Sequence, residues 1–295
     1  MQVLQAKLAY KIDSELGESA LWDERFACLW WVDILKGQLH RFDPAKGENE
    51  SFDLGVLVGA VAPEEGGELV LAVKNGFARY DTRLRQLEMI ASMEHALPGT
   101  RFNEGRCDPG GRFWAGTIAQ GAQAGAANLF CLERDLSVSR KIKGVSISNG
   151  LGWNRQADRM YYIDSPSQRI LEFNYDNSSG AIHSPRVAVE VPVLEGAPDG
   201  MCVDAEGMLW VAIWGAGKVA RFNPASGERL LEVKTEGAKL SSCCSLGGPD
   251  MSTLFITTAR ENLSVEALRE QPLAGSLFSA DVAVKGMTAN SFKRL

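Results

Sequence analysis

The chain has 295 residues, 45% hydrophobic and 23% charged, an ordinary globular composition whose length admits one large domain or two smaller ones. A formal net charge of −6 and a pI near 5.3 leave no basic footprint for nucleic acid. The first ten residues lack an apolar leader and no run of ~18 apolar residues offers a membrane span, so a cytoplasmic protein that binds neither nucleic acid nor membrane is expected.

From the N-terminus, Val3–Tyr10 has strand character. A short apolar, aromatic-rich strand then recurs at Leu29–Asp33, Leu69–Val73, Phe113–Thr117, Met160–Asp164, Leu209–Ile213 and Leu254–Thr258, in steps of 40, 44, 47, 49 and 45 residues. Turn chemistry precedes most copies, as in Asp23–Arg25, Asp108–Gly111, Asn154–Asp158, Asp204–Gly207 and Gly247–Asp250. A further strand follows in Gln38–Pro44, Ile170–Asp176 and Val219–Pro224. Each unit therefore reads as strand, hairpin, strand, turn, strand, then a weaker outer strand. Units of this length with four short strands are propeller blades. The sequence predicts an all-β protein, a six-bladed β-propeller forming one domain over residues 1–295. Val3–Tyr10 is expected to pair with the last blade and close the ring, which removes an exposed edge. Val265–Glu270 is the best candidate for a short helix.

Six cysteines occur with no CxxC spacing, and most lie in or beside apolar strands, so reduced thiols are expected. Cys243 and Cys244 are adjacent, and neighbours on a strand point to opposite faces. His40, His95 and His183 stand in no ligand or triad spacing, which argues against a multi-histidine zinc enzyme or a Ser-His-Asp hydrolase. His95 reads as a loop residue rather than a lone base.

Innermost strands of a propeller begin at one mouth of the channel, so equivalent positions converge on the axis. Glu18 lies 11 residues before Leu29, Asn103 lies 10 before Phe113, Asn149 lies 11 before Met160, and Asp199 lies 10 before Leu209. The matching places in the other blades are Val58-Gly59 and Cys243-Cys244. Singly, Asn149-Gly150 and Asp199-Gly200 are ordinary turn dipeptides. Together, four blades aim acids or amides at one mouth. Two carboxylates gathered there repel each other and lose solvation, and a cation between them removes both costs. Oxygen donors alone select hard ions such as Ca²⁺, Mg²⁺ or Mn²⁺, with Zn²⁺ or Fe²⁺ acceptable, and three protein ligands would leave room for water and substrate.

At these residues the sequence resembles the senescence-marker/regucalcin–gluconolactonase family of sugar lactonases. The matching segments are Gly17–Trp22, Arg101–Gly105, Asp108–Arg112 with Gly116-Thr117, Ile147–Leu151, Pro198–Met201 and Thr257–Arg260, spread over essentially the whole chain. The resemblance implies one divalent cation, Ca²⁺ first among candidates, at Glu18, Asn149 and Asp199. It implies Asp199 as general base as well as ligand, and Arg101 and Asn103 as the substrate-holding pair, with a water-mediated metal contact open to Asn103. Asp204 belongs to the hairpin turn Asp204–Gly207. Two departures stand out. Glu104 occupies a place where the family usually has Asp, and Ala119–Ala127 is small and flexible where some relatives carry sugar-binding acids. These bear on substrate identity more than on reaction type.

The implied reaction is hydrolysis of a small aldonolactone such as gluconolactone, xylonolactone or arabinolactone. Trp214 and Phe102 are candidate aromatic walls, with core packing the plainer reading, and Arg260 is placed evenly between substrate contact and blade-to-blade pairing. A calcium-binding regulatory propeller and a metal-dependent esterase or organophosphate hydrolase on the same fold remain open alternatives. A monomer or weak dimer is expected.

Overall fold

A computed structural model describes residues 1–93 and 99–295. Six sheets follow one another along the chain, antiparallel and with their strands in sequence order from the axis outward, except that N-terminal strands form the outer edges of the last two. The innermost strands are Gly17–Asp23, Val58–Pro63, Thr100–Cys107, Ser148–Trp153, Ala197–Val203 and Ser241–Gly247. This is the six-bladed β-propeller that the repeat predicts.

Burial along each blade explains the sequence pattern. The first two strands of blade one, Gly17–Asp23 and Cys28–Asp33, are buried at every position, whereas its outermost strand Glu48–Asp53 exposes most of its residues. Neighbouring blades cover both faces of the inner strands, so these read as continuous apolar runs rather than alternating ones. Blades one, three and five also repeat a buried polar knot. Asp23, Asp108 and Asp204, just past or at the end of the inner strand, accept the indole N–H of Trp30, Trp114 and Trp210 at 3.3, 2.8 and 2.9 Å. Arg25, Arg112 and Arg221 close the knots at 2.8–3.1 Å. Asp204 is therefore a structural turn residue, as its hairpin sequence suggests.

Ring closure differs in part from expectation. Lys7–Tyr10 does pair, antiparallel, with Leu277–Asp281 and completes blade six. Gln2–Gln5 instead lies parallel to Arg229–Lys234 as a fifth strand on blade five. The N-terminal segment thus covers two adjacent edges, which protects both from further pairing. The short helix forms at Val265–Glu270, where Ser264 Oγ accepts the Ala267 N–H at 3.2 Å and caps the first turn.

The C-terminal segment carries no repeat signal and crosses the mouth where the inner strands end. Ala205 N–H donates to the Lys285 carbonyl at 2.8 Å, Asn290 Nδ2 to the Cys107 carbonyl at 3.2 Å, and Phe292 N–H to the Pro63 carbonyl at 2.8 Å. Phe292 is fully buried in the core that joins blades one to three. This strap ties several blades together on the side away from Glu18 and Asp199.

Candidate active site

Every innermost strand shifts register once near its start. The shifts fall between Glu18 and Leu21, Val58 and Ala60, Phe102 and Glu104, Ser148 and Leu151, Pro198 and Met201, and Ser241 and Cys243. A β-bulge bends its strand and re-aims a side chain. At these shifts the six strands bring a ring of residues together: Gly59, Asn103, Asn149, Asp199 and Ser242 within the shift, and Glu18, still paired with Val32, immediately before it. The sixth position falls on Ser242, one residue before the Cys243-Cys244 pair obtained by counting, because the hairpin from Leu246 to its partner Leu254 is one residue longer than those from Trp22 to Leu29 and from Trp153 to Met160.

Contacts between adjacent blades hold this ring. Ser242 Oγ donates to the Gly17 carbonyl, joining blade six to blade one. Val61 N–H donates to Ser19 Oγ at 3.1 Å, and Asn103 Nδ2 to the Ser148 carbonyl at 3.0 Å. Ser165 Oγ donates to the Pro198 carbonyl at 2.7 Å. The two remaining interfaces use glycine. A Cβ on Gly59 would strike the Phe102 carbonyl, and one on Gly200 would lie 2.7 Å from Cys243 Sγ. The absence of side chains at these two places brings the blades close enough to form the ring.

Above it opens a cavity of about 910 Å³ lined by Glu18, Arg101, Asn103, Asn149 and Asp199 among others. All five residues singled out from the sequence therefore meet in one cavity. Asn149 is oriented from both ends: its Nδ2 donates to Ser165 Oγ at 2.9 Å, and its Oδ1 accepts from Asn103 Nδ2 at 3.3 Å. Arg101 Nη1 donates to Asn103 Oδ1 at 2.7 Å and to the Phe102 carbonyl at 3.1 Å, which fixes the Asn103 amide in turn. Asn103 presents its nitrogen to Asn149, so it positions a ligand oxygen rather than offering one.

Electrostatics concentrate on the carboxylates. Burial, then the Asp199 and Glu104 charges, pushes the Glu18 carboxyl well above its ordinary range. Burial, then Glu104 and Glu261, does the same to Asp199. Burial also lowers the Arg101 guanidinium, with Glu261 and Glu18 acting against that shift. Two desolvated, mutually repelling carboxylates beside an oriented amide oxygen make a donor set suited to a hard divalent cation. Glu18, Asn149 and Asp199 are the residues that could hold one.

Glu104 sits on the channel floor beneath Glu18. Its Oε1 accepts the Gly105 N–H at 2.8 Å and its Oε2 accepts the Cys243 thiol at 3.3 Å. Glu18, Glu104 and Cys243 thus bring potential ligand atoms within 4.8 Å of one another. Arg106 already places its guanidinium 3.6 Å from Cys243 Sγ and donates to the Ala20 and Cys244 carbonyls. The floor therefore carries its own positive charge, and the cavity side, towards Asn149 and Asp199, is the better place for a cation.

Other expectations divide. Trp214 lines the cavity, whereas Phe102 is buried in the core against Phe77 at 5.1 Å. Arg260 turns away and pairs with Asp13 at 2.9 Å; the cavity is lined instead by the next residue, Glu261, which the sequence reading passed over. His40 stacks on Trp31 at 4.0 Å, burial lowers it to about 4, and His95 lies outside the described residues. All six cysteines are free thiols. Among the described residues no helix is long and apolar enough to cross a membrane.

Residues 16–260 match the family model described as the SMP-30/Gluconolactonase/LRE-like region. The chain belongs to this family. "Putative sugar lactone lactonase YvrE" of Bacillus subtilis is 40% identical over 271 residues, 92% of each chain. Regucalcin of Danio rerio is 38% identical over 295 residues, 99% of each chain. Among solved structures, a calcium-binding regucalcin from Agrobacterium tumefaciens superposes with a TM-score of 0.94 at 28% identity over 99% of both chains. The family match spans all the bulge positions, Glu18 to Ser242, so the ring lies wholly inside the shared region.

Proposed function

We propose that this chain is a divalent-cation-dependent lactonase that opens small sugar lactones to the corresponding acids. The observation that carries the reading is the pair of buried acids, Glu18 and Asp199, converging with Asn149 on the floor of a 910 Å³ cavity. Similarity to a protein named for sugar lactone hydrolysis supports the reaction class. The oxygen donor set and the calcium-binding relative favour Ca²⁺, with Zn²⁺, Mn²⁺, Mg²⁺ or Fe²⁺ as further candidates.

When bound, the ion supplies Lewis acidity toward the lactone carbonyl and offsets the negative charge that develops there. The remaining work belongs to the chain. Glu18 and Asn149 fix the floor, and Asn103 locks the amide of Asn149. Asp199 accepts a proton from the attacking water as the C–O bond forms, then returns it to the ring oxygen as the acyl C–O bond breaks. Arg101 hydrogen-bonds the hydroxylated side of the substrate and holds it in register. Trp214, on the wall, offers an aromatic face to the ring's C–H groups.

Calorimetric titration of chelator-stripped protein with each divalent ion, in parallel with turnover, tests this. One strong site that Asp199→Ala abolishes, with turnover restored by the same ion, is the expected result. A site that binds an ion while no lactone is hydrolysed would sink the enzyme reading in favour of a cation-binding regulator.

A further inference from the structure

The positions two residues before each bulge point above the ion-binding floor: Leu16, Leu57, Arg101, Ile147, Ala197 and Leu240. The first five line the cavity, and this tier is aliphatic in every blade but the third. An aliphatic tier cannot hydrogen-bond a substrate hydroxyl, so recognition of a polyol must rest on the polar groups set in and around it. Arg101 is one. Its guanidinium donates and cannot accept, so it can satisfy only half of what a row of hydroxyl groups offers.

Glu261 supplies the other half. It lines the same cavity from blade six, half-buried, in the loop after Thr253–Thr258. Its placement is fixed by its neighbour: Arg260 N–H donates to the Glu15 carbonyl at 3.0 Å, the Arg260 guanidinium pairs with Asp13, and Leu263 N–H closes a turn on the Arg260 carbonyl at 3.0 Å. Yet the Glu261 carboxylate accepts no hydrogen bond and makes no direct ion pair among the described residues. Arg101 is near enough to stabilise its charge, against the cost of burial. A carboxylate held on a rigid loop, partly desolvated and without a donor, is built to receive one. The wall of blade three offers Ala119, Gly121 and Ala122, none of which has a side-chain acceptor.

We propose that Glu261 is the residue by which this site selects hydroxylated lactones, its carboxylate accepting hydrogen bonds from substrate hydroxyls while Arg101 donates to others. This rests on the lactone-hydrolysis reading above. The pair matches the chemistry of vicinal diols, in which each hydroxyl both donates and accepts.

The test compares wild type with Glu261→Gln and Glu261→Ala on two substrate sets: hydroxylated five- and six-membered aldonolactones, and the ring-matched lactones without hydroxyls, γ-butyrolactone and δ-valerolactone. Melting temperatures near wild type establish that the variants fold. For hydroxylated lactones KM should rise roughly ten- to a hundred-fold, the size of lost hydrogen bonds to a charged group, with kcat little changed. The unsubstituted lactones should change in kcat/KM by no more than a few-fold, through the Glu261 charge that Asp199 no longer feels. Inhibition by a linear alditol should weaken by a similar factor in both variants. Unchanged KM for the hydroxylated set would overturn the role of Glu261 while leaving lactone hydrolysis in place. So would an equal loss on both sets, which would mark a general disturbance of the site. A wild-type chain that turns over no lactone with any divalent ion would overturn both readings.

Discussion

Asp199 and Asp204 lie five residues apart, and the structure gives them opposite jobs that a pair of substitutions can separate. Asp204 is fully buried where its inner strand turns, away from the cavity. Its Oδ1 accepts the N–H groups of Glu206 and Met208, each at 2.9 Å. Its Oδ2 accepts Trp210 Nε1 at 2.9 Å and Arg221 Nε at 2.8 Å. Asp204→Asn keeps the first oxygen and replaces the second by an amide nitrogen that faces two donors. The Arg221 side chain, only 11% exposed, then retains only Glu206, which is 64% exposed. Breaking one side of a buried ion pair costs about 3–5 kcal/mol, because the other charge stays behind without water. In a chain of this size that is a fall in Tm of roughly 5–8 °C. Thermal unfolding by circular dichroism measures it, and kcat below the transition should stay within a few-fold of wild type. Asp199→Asn should do the reverse. Turnover should drop by about 10²–10⁴, the usual worth of a general base, while the ion-free protein melts no lower, since a desolvated and repelled charge has been removed. If Asp204→Asn abolished turnover without lowering Tm, or if Asp199→Asn unfolded the chain, the division between turn and site would be wrong.

Three further outcomes follow from the same geometry. Arg101→Ala should mainly raise KM for hydroxylated lactones and spare kcat more than any Asp199 variant does; steady-state kinetics that found equal kcat defects in both would refute their separate roles. Phe292→Ala removes a fully buried ring from the strap and should destabilise by about 3–5 kcal/mol, read as a lower Tm with kcat retained; an unchanged Tm would show that the strap adds nothing to closure. In ion-free protein, Glu18 and Asp199 titrate above their ordinary values of 4.5 and 3.8, so the stability they contribute is present at low pH and lost as pH rises through the raised range. Between about pH 5.5 and about pH 8 the Tm of chelator-treated wild type should therefore fall relative to that of Asp199→Asn, a comparison that cancels the opposite contribution of His40, lowered to about 4 by burial, and a divalent ion should remove the difference by expelling the protons. Glu195 and Asp176, depressed to about 2, lose their contribution only at lower pH, outside this window. An ion-free wild type whose Tm changed from about pH 5.5 to about pH 8 as that of Asp199→Asn does would contradict the buried-acid account.

Blade number, strand order and the polar ring are legible in the amino-acid sequence because each depends on something periodic. A strand covered on both faces must be apolar throughout, and six such strands at a near-constant step leave little choice of fold. Counting back from Leu29, Phe113, Met160 and Leu209 finds Glu18, Asn103, Asn149 and Asp199 because the bulges occur in register. The same count misplaces the sixth position, since the hairpin between Leu246 and Leu254 is one residue longer and hydropathy does not reveal it. Glu261 stands in a loop with no repeat, and only the fold shows that it, not Arg260, faces the cavity. One cue was available: Arg260 continues a family segment, while Asp13, its eventual partner, follows the N-terminal strand that completes the same blade. Val3–Tyr10 reads as one strand, and its division at Ala6 between blades five and six depends on which edges lie within reach. The strap ending at Leu295 has no strand period at all, because its hydrogen bonds go to turns of several blades rather than to one partner strand. Phe102 belongs to an inner strand, and its bulge turns Asn103 rather than the ring toward the cavity.

Proton release at constant pH tests the central claim most directly. Chelator-stripped protein is offered a panel of five- and six-membered aldonolactones, with each divalent ion added back in turn. The account requires hydrolysis of at least one hydroxylated lactone, absent without the ion, restored by Ca²⁺ or another hard cation, and lost again in Asp199→Asn. Hydrolysis that persists after the ion is removed, or that survives loss of Asp199, would contradict it.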